Sequence, residues 1–231
     1  WSSDVCSSDL LSNYFGTMNI PGNILLKKGR EQSVLRKHPW VFSGALQQLN
    51  GHAQDGNWVK VCDSKGVTLG FGHYQNGSIS VRMLSFGEEQ PTDTFWKDKI
   101  NRALTLRHAV GLPSEKTNAF RLIHGEGDGL PGLIIDFYSG VAVIQAHSAG
   151  MHNDREQIAQ ALKVVMGEQL SAIYYKSRAT LPGKIKDDQP DGYLLGMGVV
   201  PHVIHEHGNK FLVDWESGQK TGFFLDQREN R

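Results

Sequence analysis

Residues 57–84 read NWVKVCDSKGVTLGFGHYQNGSISVRML and contain three short strand patterns. Apolar and polar residues alternate in residues 57–62 and again in residues 79–84, which is the period of a half-buried strand. Residues 67–74 form the third pattern, bounded by turn residues at Gly66 and at Asn76-Gly77. Short strands at a spacing of about ten residues, separated by such turns, are typical of a small β-barrel.

A helix and an α+β segment are predicted to follow. Pro91 opens a helix over 92–111, in which Trp96, Ile100, Ala103 and Leu104 share one face. The next patterns predict a strand, a hairpin, an amphipathic helix and further short strands, at 120–123, 133–145, 153–166, 172–175, 193–195, 203–204 and 211–213. We therefore predict a multi-domain chain: residues 1–17 are a leader, 18–90 a barrel domain, 91–200 a linking helix and central α+β domain, and 201–231 the start of another domain.

Composition excludes several protein classes. The 231 residues carry 24 Lys and Arg against 24 Asp and Glu, so the formal net charge is zero. This excludes a uniformly basic nucleic-acid-binding protein, although a locally basic surface remains open. The sequence contains no run of about 18 apolar residues, so no membrane span is predicted. The two cysteines, Cys6 and Cys62, cannot form a disulfide framework, which fits a reducing cytoplasm.

The two ends of the chain stand apart from the rest. Ser-Ser-Asp occurs twice in residues 1–10, and this segment resembles a translated sequencing-adapter scar, the alternative being a disordered leader. We take Met18 as the native start. Residues 225–231 have a helix-forming composition without a Gly or Pro stop signal, so we expect the chain to end inside an element.

Residues 22–48 are locally basic. They carry five Lys and Arg residues against a single acid, Glu31. Cations pair with phosphates, and an exposed aromatic ring stacks on an unpaired base. The candidate RNA-binding residues are Lys27, Lys28, Arg30, Arg36, Lys37, His38 and Trp40. The alternative is a solvated basic face with Trp40 in the core.

Residues 218–228 read GQKTGFFLDQR and form the densest group of candidate binding residues. Gly218 and Gly222 allow a tight turn, the polar residues between them project from it, and Phe223-Phe224 can line an apolar pocket. The spacing is not that of a P-loop. A glycine-rich turn that leads into a helix suits a ligand with charged and flat parts, but a plain helix-entry turn remains open.

Other candidates favour structural roles. Glu126 and Asp128 lie in the glycine-rich turn 125–132, which lacks the spacing of a calcium loop. Residues 176–186 contain four cations, and a polar loop is favoured there over a phosphate surface. No metal site is expected from the scattered histidines, including those at 202, 205 and 207. Cys62 is expected to be a buried strand thiol.

Three motifs together resemble a known family. They are Leu26–Arg30 with His38–Gly44, then Arg121–Asp136 (RLIHGEGDGLPGLIID), and Gly218–Arg231. They resemble, in that order, the N-terminal PUA domain, the central α+β domain and the entry into the methyltransferase domain of the class I S-adenosylmethionine-dependent ribosomal RNA large-subunit methyltransferase I family. Members of this family make 5-methylcytosine in 23S rRNA.

The resemblance implies a function and its residues. It implies a PUA-like RNA-binding β-barrel, a central α+β domain and the start of an α/β Rossmann-like methyltransferase domain. The residues that would border S-adenosyl-L-methionine or the target base are Gln219, Lys220, Thr221, Phe224, Asp226 and Arg228. The cofactor would be bound mainly beyond residue 231, where the nucleophilic cysteine is also expected.

On this basis we expect an rRNA methyltransferase whose RNA-binding half is this chain, inactive alone. The expected partner is 23S rRNA in the cytoplasm, and a homodimer is left open. Two alternatives stand beside it. One is a non-catalytic PUA-type RNA-binding module, and the other is a methyltransferase that acts on a guanine nitrogen and needs no cysteine.

Overall fold

The computed structural model describes residues 18–182 and 190–230. Its first six strands form one sheet with the order β2-β6-β5-β4-β1-β3. The strands β1 and β4 run parallel, and the other neighbours run antiparallel. The bounds are β1 (Gly22–Leu26), β2 (Trp40–Phe42), β3 (Leu46–Gly51), β4 (Trp58–Cys62), β5 (Thr68–Tyr74) and β6 (Ile79–Phe86), with a short helix α1 (Gln32–Leu35) between β1 and β2.

The three strands expected in 57–84 are confirmed as β4, β5 and β6, but the predicted closed barrel is replaced by a half-barrel sheet. Closure would require the edge strands β2 and β3 to pair. Instead a 3-10 turn at Ser43–Ala45 redirects the chain, so that β3 pairs with β1. One face of the sheet packs a core that includes Ile24, Val59 and Val81.

A second, five-stranded sheet has the order β11-β10-β9-β8-β7. Its strands are β7 (Ala119–His124), β8 (Leu133–Tyr138), β9 (Val141–Ala146), β10 (Ala172–Tyr175) and β11 (Gly192–Leu195). The parallel strands β9 and β10 need a crossover, and two helices provide it, α3 (Ala149–Asn153) and α4 (Arg155–Met166). The predicted helix over 153–166 is thus preceded by a separate helix and begins after Asp154.

Helices cover one face of this sheet. The linking helix α2 (Phe95–Ala109) is shorter than the predicted span 92–111, and it packs on α4. The largest core cluster lies between the sheet and these helices. It includes Phe120, Ile135 and Ile144 of the sheet, Ile100 of α2 and Leu162 of α4. In the described ranges 18–182 and 190–230, no helix combines the length and the apolar character needed to cross a membrane.

The opposite face of the five-stranded sheet is covered by the end of the chain. A hairpin of β12 (His202–Glu206) and β13 (Asn209–Val213) packs there, and the fully buried Trp215 joins it. Because both faces are covered, every residue of β9 is buried. This packing places the residues after Trp215 directly against the sheet.

The two sheets are joined at a buried carboxylate, Asp154. Its Oδ2 accepts a hydrogen bond from Trp58 Nε1 at 2.8 Å and lies 2.9 Å from His73 Nε2. Both rings belong to the six-stranded sheet, whereas Asp154 stands immediately before α4. Gly150 of α3 lies so close to the His73 ring that a Cβ atom would collide with it. A polar contact and close packing therefore fix how the helical layer sits on the first sheet.

Candidate functional site

The candidate segment Gly218–Arg228 begins with a turn that requires glycine. Gly218 and Gly222 both lie against the carbonyl oxygen of Asp214, and a Cβ atom on Gly222 would stand 2.6 Å from that oxygen. Gly222 also has a φ of 107°, which side chains disfavour. The two glycines therefore serve the tight backbone path that the sequence predicted.

Lys176 supports the same turn from the end of β10. Its Nζ donates hydrogen bonds to the carbonyl oxygens of Trp215 and Gly218, both at 2.5 Å. Burial lowers the pKa of Lys176, and the negative charges of Asp191 and Asp214 oppose that shift. The lysine thus satisfies backbone acceptors within the fold.

Thr221 connects the turn to the five-stranded sheet through a buried network. It is fully buried, and its Oγ1 donates to Asp136 Oδ2 at 2.6 Å. Because that hydroxyl proton is used, Thr221 Oγ1 accepts from Tyr138 Oη, at 2.9 Å. Arg121, the cross-strand neighbour of Asp136, binds both carboxylate oxygens, at 2.8 and 3.0 Å. The structure therefore places Thr221 in an anchoring contact.

The electrostatics of this network follow from burial and charge. Burial raises the pKa of Tyr138, and the Asp136 carboxylate adds to that shift. The hydrogen bond to Asp136 raises the pKa of Arg121. The motif 121–136 was visible in the sequence, yet no role was assigned to its two end residues. The alternation of a strand does place Asp136 and Tyr138 on one face, but their partner across the fold was not predictable.

Four of the six candidate residues in the segment are exposed. Gln219, Lys220, Phe224 and Asp226 all face solvent, and Lys220 Nζ lies 4.8 Å from the centre of the Phe224 ring. The pKa of Asp226 is lowered, first by a hydrogen bond from Gln227 and further by the charges of Lys220 and Arg121. The group combines a cation, an aromatic ring, an amide and a carboxylate.

Arg228, the sixth candidate, is half-buried and tied to the protein interior. Its Nε donates to Glu206 Oε1 at 3.2 Å, and its Nη2 donates to the carbonyl oxygen of Ala119 at 3.1 Å. It lies in a 3-10 helix, Leu225–Asn230, in the segment whose composition indicated a helix. Arg228 thus resembles Thr221 in holding the segment, while the four exposed residues form its accessible rim.

The candidate RNA-binding residues surround α1. Lys28, Arg30, Arg36, Lys37 and His38 are exposed. Lys27 is exposed as well, and its Nζ donates to the carbonyl oxygen of Gly44 at 3.0 Å.

An aromatic cluster follows these cations on β2. The Trp40 ring lies 6.0 Å from the His38 ring and 6.3 Å from the Phe42 ring, each at a steep angle. Trp40 is half-buried, so it is neither a core residue nor fully free, and its Nε1 donates to Glu126 Oε1 at 3.0 Å. Phe42 is 50% exposed and was not singled out in the sequence, although its alternation with Trp40 places the two on one strand face.

The turn at 125–132 separates its two carboxylates. Asp128 receives a bidentate pair of hydrogen bonds from Arg107, at 2.8 and 2.7 Å, and a third from the backbone of His124. It therefore ties the turn to α2, which confirms the structural interpretation for this residue. Glu126 is exposed and points to Trp40.

The remaining candidates also have structural surroundings. Cys62 is buried in β4, as expected. Arg178 is exposed, whereas Lys184 and Lys186 lie outside the described residues. Where residues are described, no three His, Cys, Asp or Glu side chains cluster as metal ligands would.

The first part of the chain is similar to a known type of domain. A family model described as a PUA-like domain matches residues 24–86. This range covers the half-barrel sheet except for the first two residues of β1.

Curated relatives extend the similarity along the chain. Ribosomal RNA large subunit methyltransferase I of Alteromonas mediterranea is 40% identical over 210 residues, which are 90% of this chain and 52% of that protein. The protein of the same name from Erwinia tasmaniensis is 40% identical over 211 residues, and that of Escherichia coli strain SMS-3-5 is 37% identical over 213. The chain therefore spans about half the length of these relatives.

Solved structures support the fold. A Streptococcus mutans structure described as a candidate SAM-dependent methyltransferase matches with a TM-score of 0.73 at 21% identity, over 90% of this chain and 52% of that one. A candidate methyltransferase solved with SAH matches equally well. The resemblance inferred from the three motifs is thus confirmed: across nine-tenths of its length, the chain is similar in sequence to proteins named ribosomal RNA large subunit methyltransferase I.

Proposed function

We propose that this chain is the RNA-binding half of an S-adenosylmethionine-dependent methyltransferase that methylates cytosine C5 in 23S rRNA in the cytoplasm. The observation that carries the proposal is the 40% identity, over 90% of the chain, to a protein named for rRNA large-subunit methylation. The exposed cations around α1 support the RNA-binding part, because such side chains neutralise backbone phosphates.

The exposed rim of the Gly218–Arg228 segment supports the cofactor part. S-adenosylmethionine combines a charged amino-acid end with a flat adenine, and the rim offers Lys220 and Asp226 for charge and Phe224 for a ring. When bound, the cofactor supplies an electrophilic methyl group on its sulfonium. In this proposal the rim residues orient the cofactor or the target base, while Thr221 and Arg228 hold the segment in place.

The cysteine content supports inactivity of the chain alone. Cytosine C5 becomes nucleophilic when a thiolate adds to C6. Cys62 is 1% exposed inside β4 and cannot reach an RNA base; Cys6 lies outside the described residues. We therefore propose that the nucleophile belongs to a part of the enzyme beyond residue 231.

A chimera tests this function. Residues 18–230 would be joined to the part of the Alteromonas mediterranea relative that this chain does not match, and tritium transfer from S-adenosylmethionine to 23S rRNA would be measured. We expect transfer by the chimera and by the intact relative, none by the 231-residue chain, and 5-methylcytidine in the digested product.

Each other result excludes part of the proposal. Turnover by the chain alone contradicts its inactivity, and methylguanosine in the product would favour the guanine-nitrogen alternative. A chimera that binds the cofactor and RNA but leaves 23S rRNA unmodified would favour the non-catalytic RNA-binding module.

A further inference from the structure

Arg82 is a half-buried cation whose hydrogen-bonding capacity is largely unused. It lies on β6 directly opposite Trp40 of β2. The single hydrogen bond that its side chain makes to a described residue runs from Nη1 to Gln75 Oε1, at a long 3.3 Å. No described carboxylate forms an ion pair with it. A guanidinium has five N–H donors, so most of them are available to a ligand.

Contacts of Gln75 bring Arg82 next to the connection between β9 and α3. Gln75 Oε1 also accepts from the backbone N–H of Ala149, at 3.3 Å. A Cβ atom on Gly132 would meet both Ser148 and the Cδ atom of Arg82. The arginine of the first sheet thus stands close to Ser148 and Ala149, at the start of the crossover from the second sheet.

His147 is the second basic residue of this junction. Its backbone is held by a hydrogen bond to Gly132, whereas its exposed imidazole has no hydrogen bond to any described residue. Partial burial lowers the pKa of His147; the charges of Arg121 and Arg82 lower it further, and that of Glu126 opposes them. Arg82 and His147 therefore both adjoin Gly132, Arg82 through its Cδ atom and His147 through its backbone N–H.

Glu126 and Trp40 border this space. The Glu126 carboxylate is near enough to Arg82 and His147 to act on the pKa of each, yet it bonds to the Trp40 indole instead. Glu126 therefore partly offsets the charge of Arg82 while it leaves the N–H donors of that guanidinium free. Trp40 adds an aromatic face next to Arg82, and a base can stack on such a face.

We propose that Arg82 and His147 form a phosphodiester-binding subsite between the two sheets, where the RNA backbone crosses from the Trp40 cluster toward the second sheet. This inference rests on the proposed function for the identity of the ligand as RNA. The inference that the ligand carries a phosphate group rests only on the N–H donors of Arg82 that have no partner among the described residues. None of the cations around α1 belongs to the subsite, although Trp40 adjoins it.

Three charge variants test the subsite with a short fluorescein-labelled single-stranded RNA. Arg82→Gln should weaken binding about tenfold, as expected for one charged hydrogen-bonded contact, and should lower the salt slope by about one. Glu126→Gln keeps an acceptor for Trp40 but removes the opposing charge, so it should tighten binding. The matched control Lys163→Gln removes an exposed cation on α4. It should change the affinity and the salt slope no more than the loss of any distant surface charge would.

A second measurement separates the subsite from the proposed function. Inorganic phosphate would be titrated while the imidazole NMR signals of His147 are followed across pH. A bound anion favours the imidazolium, so the pKa of His147 should rise in the wild type and not in Arg82→Gln.

The combined outcomes are decisive. One result would be that the wild-type protein binds no RNA, while phosphate raises the pKa of His147 only when Arg82 is present. In that case the subsite binds free phosphate and the proposed RNA function is wrong. If RNA binds equally to wild type, Arg82→Gln and Glu126→Gln, the subsite is wrong and the function stands. Folded Arg82→Gln that binds RNA no more weakly than Lys163→Gln also overturns the subsite.

Discussion

At the scale of single residues, the buried hydroxyl of Thr221 has the most consequence for the candidate segment. It donates to Asp136, which Arg121 also binds, and it accepts from Tyr138, so its removal takes a partner from two buried groups. A buried polar group that loses its partner costs about 1–3 kcal/mol. We therefore expect Thr221→Val, which keeps the shape and removes the hydroxyl, to lower the free energy of unfolding by about that amount in urea titrations.

The serine variant is the matched control for this residue. Thr221→Ser retains the hydroxyl, so its loss should be clearly smaller than that of the valine variant. Equal unfolding free energies for wild type and Thr221→Val would show that the network does not anchor the segment.

At the scale of elements, the docking of α4 on the first sheet depends on Asp154. Replacing Asp154 with alanine leaves the indole N–H of Trp58 and the His73 ring without their shared acceptor. We expect a loss of about 1–3 kcal/mol in unfolding free energy. The control Glu156→Ala removes an exposed carboxylate from the same helix, and it should stay within about 0.5 kcal/mol of wild type.

Packing at the same junction provides an independent check. Gly150→Ala adds a methyl group where the His73 ring lies, so it should also destabilise the docked arrangement. If Asp154→Ala proves no less stable than Glu156→Ala, the carboxylate does not hold the two sheets together.

At the scale of the whole molecule, the formal net charge is zero, yet the region around α1 is a basic surface. Arg36 and Lys37 are both exposed at the end of α1, next to the aromatic cluster. We expect the double variant Arg36→Ala, Lys37→Ala to weaken RNA binding and to reduce the slope of log affinity against log salt by up to about two. Fluorescence anisotropy over a salt series measures both quantities.

A charge-matched control distinguishes a local site from general attraction. Lys163→Ala with Lys210→Ala removes two exposed cations elsewhere and leaves the α1 region intact. The two double variants should differ in slope; identical slopes would mean that binding follows net charge and that the region around α1 is no specific surface.

Local pattern predicted most elements. The strands within 57–84 and the strand 172–175 were found where alternation or an apolar run indicated them, because side-chain period and turn residues are properties of neighbouring positions. The break at Asp154 was not predicted, since the contacts of this residue with Trp58 and His73 come from a distant part of the sequence. The open sheet was not predicted either, because strand pairing is a long-range property.

The candidate sites divide in the same way. Residue types alone indicated a basic, aromatic stretch at 27–40 and a glycine-rich turn at 218–228, and three motifs indicated the family. Only the tertiary structure showed that Thr221 and Arg228 are anchors while Gln219, Lys220, Phe224 and Asp226 form the exposed rim. Only it brought Arg82 and His147, 65 positions apart in the sequence, to the same neighbour, Gly132. The physical reason is that composition specifies which groups a chain carries, whereas burial and partnership depend on which distant strands the fold places together.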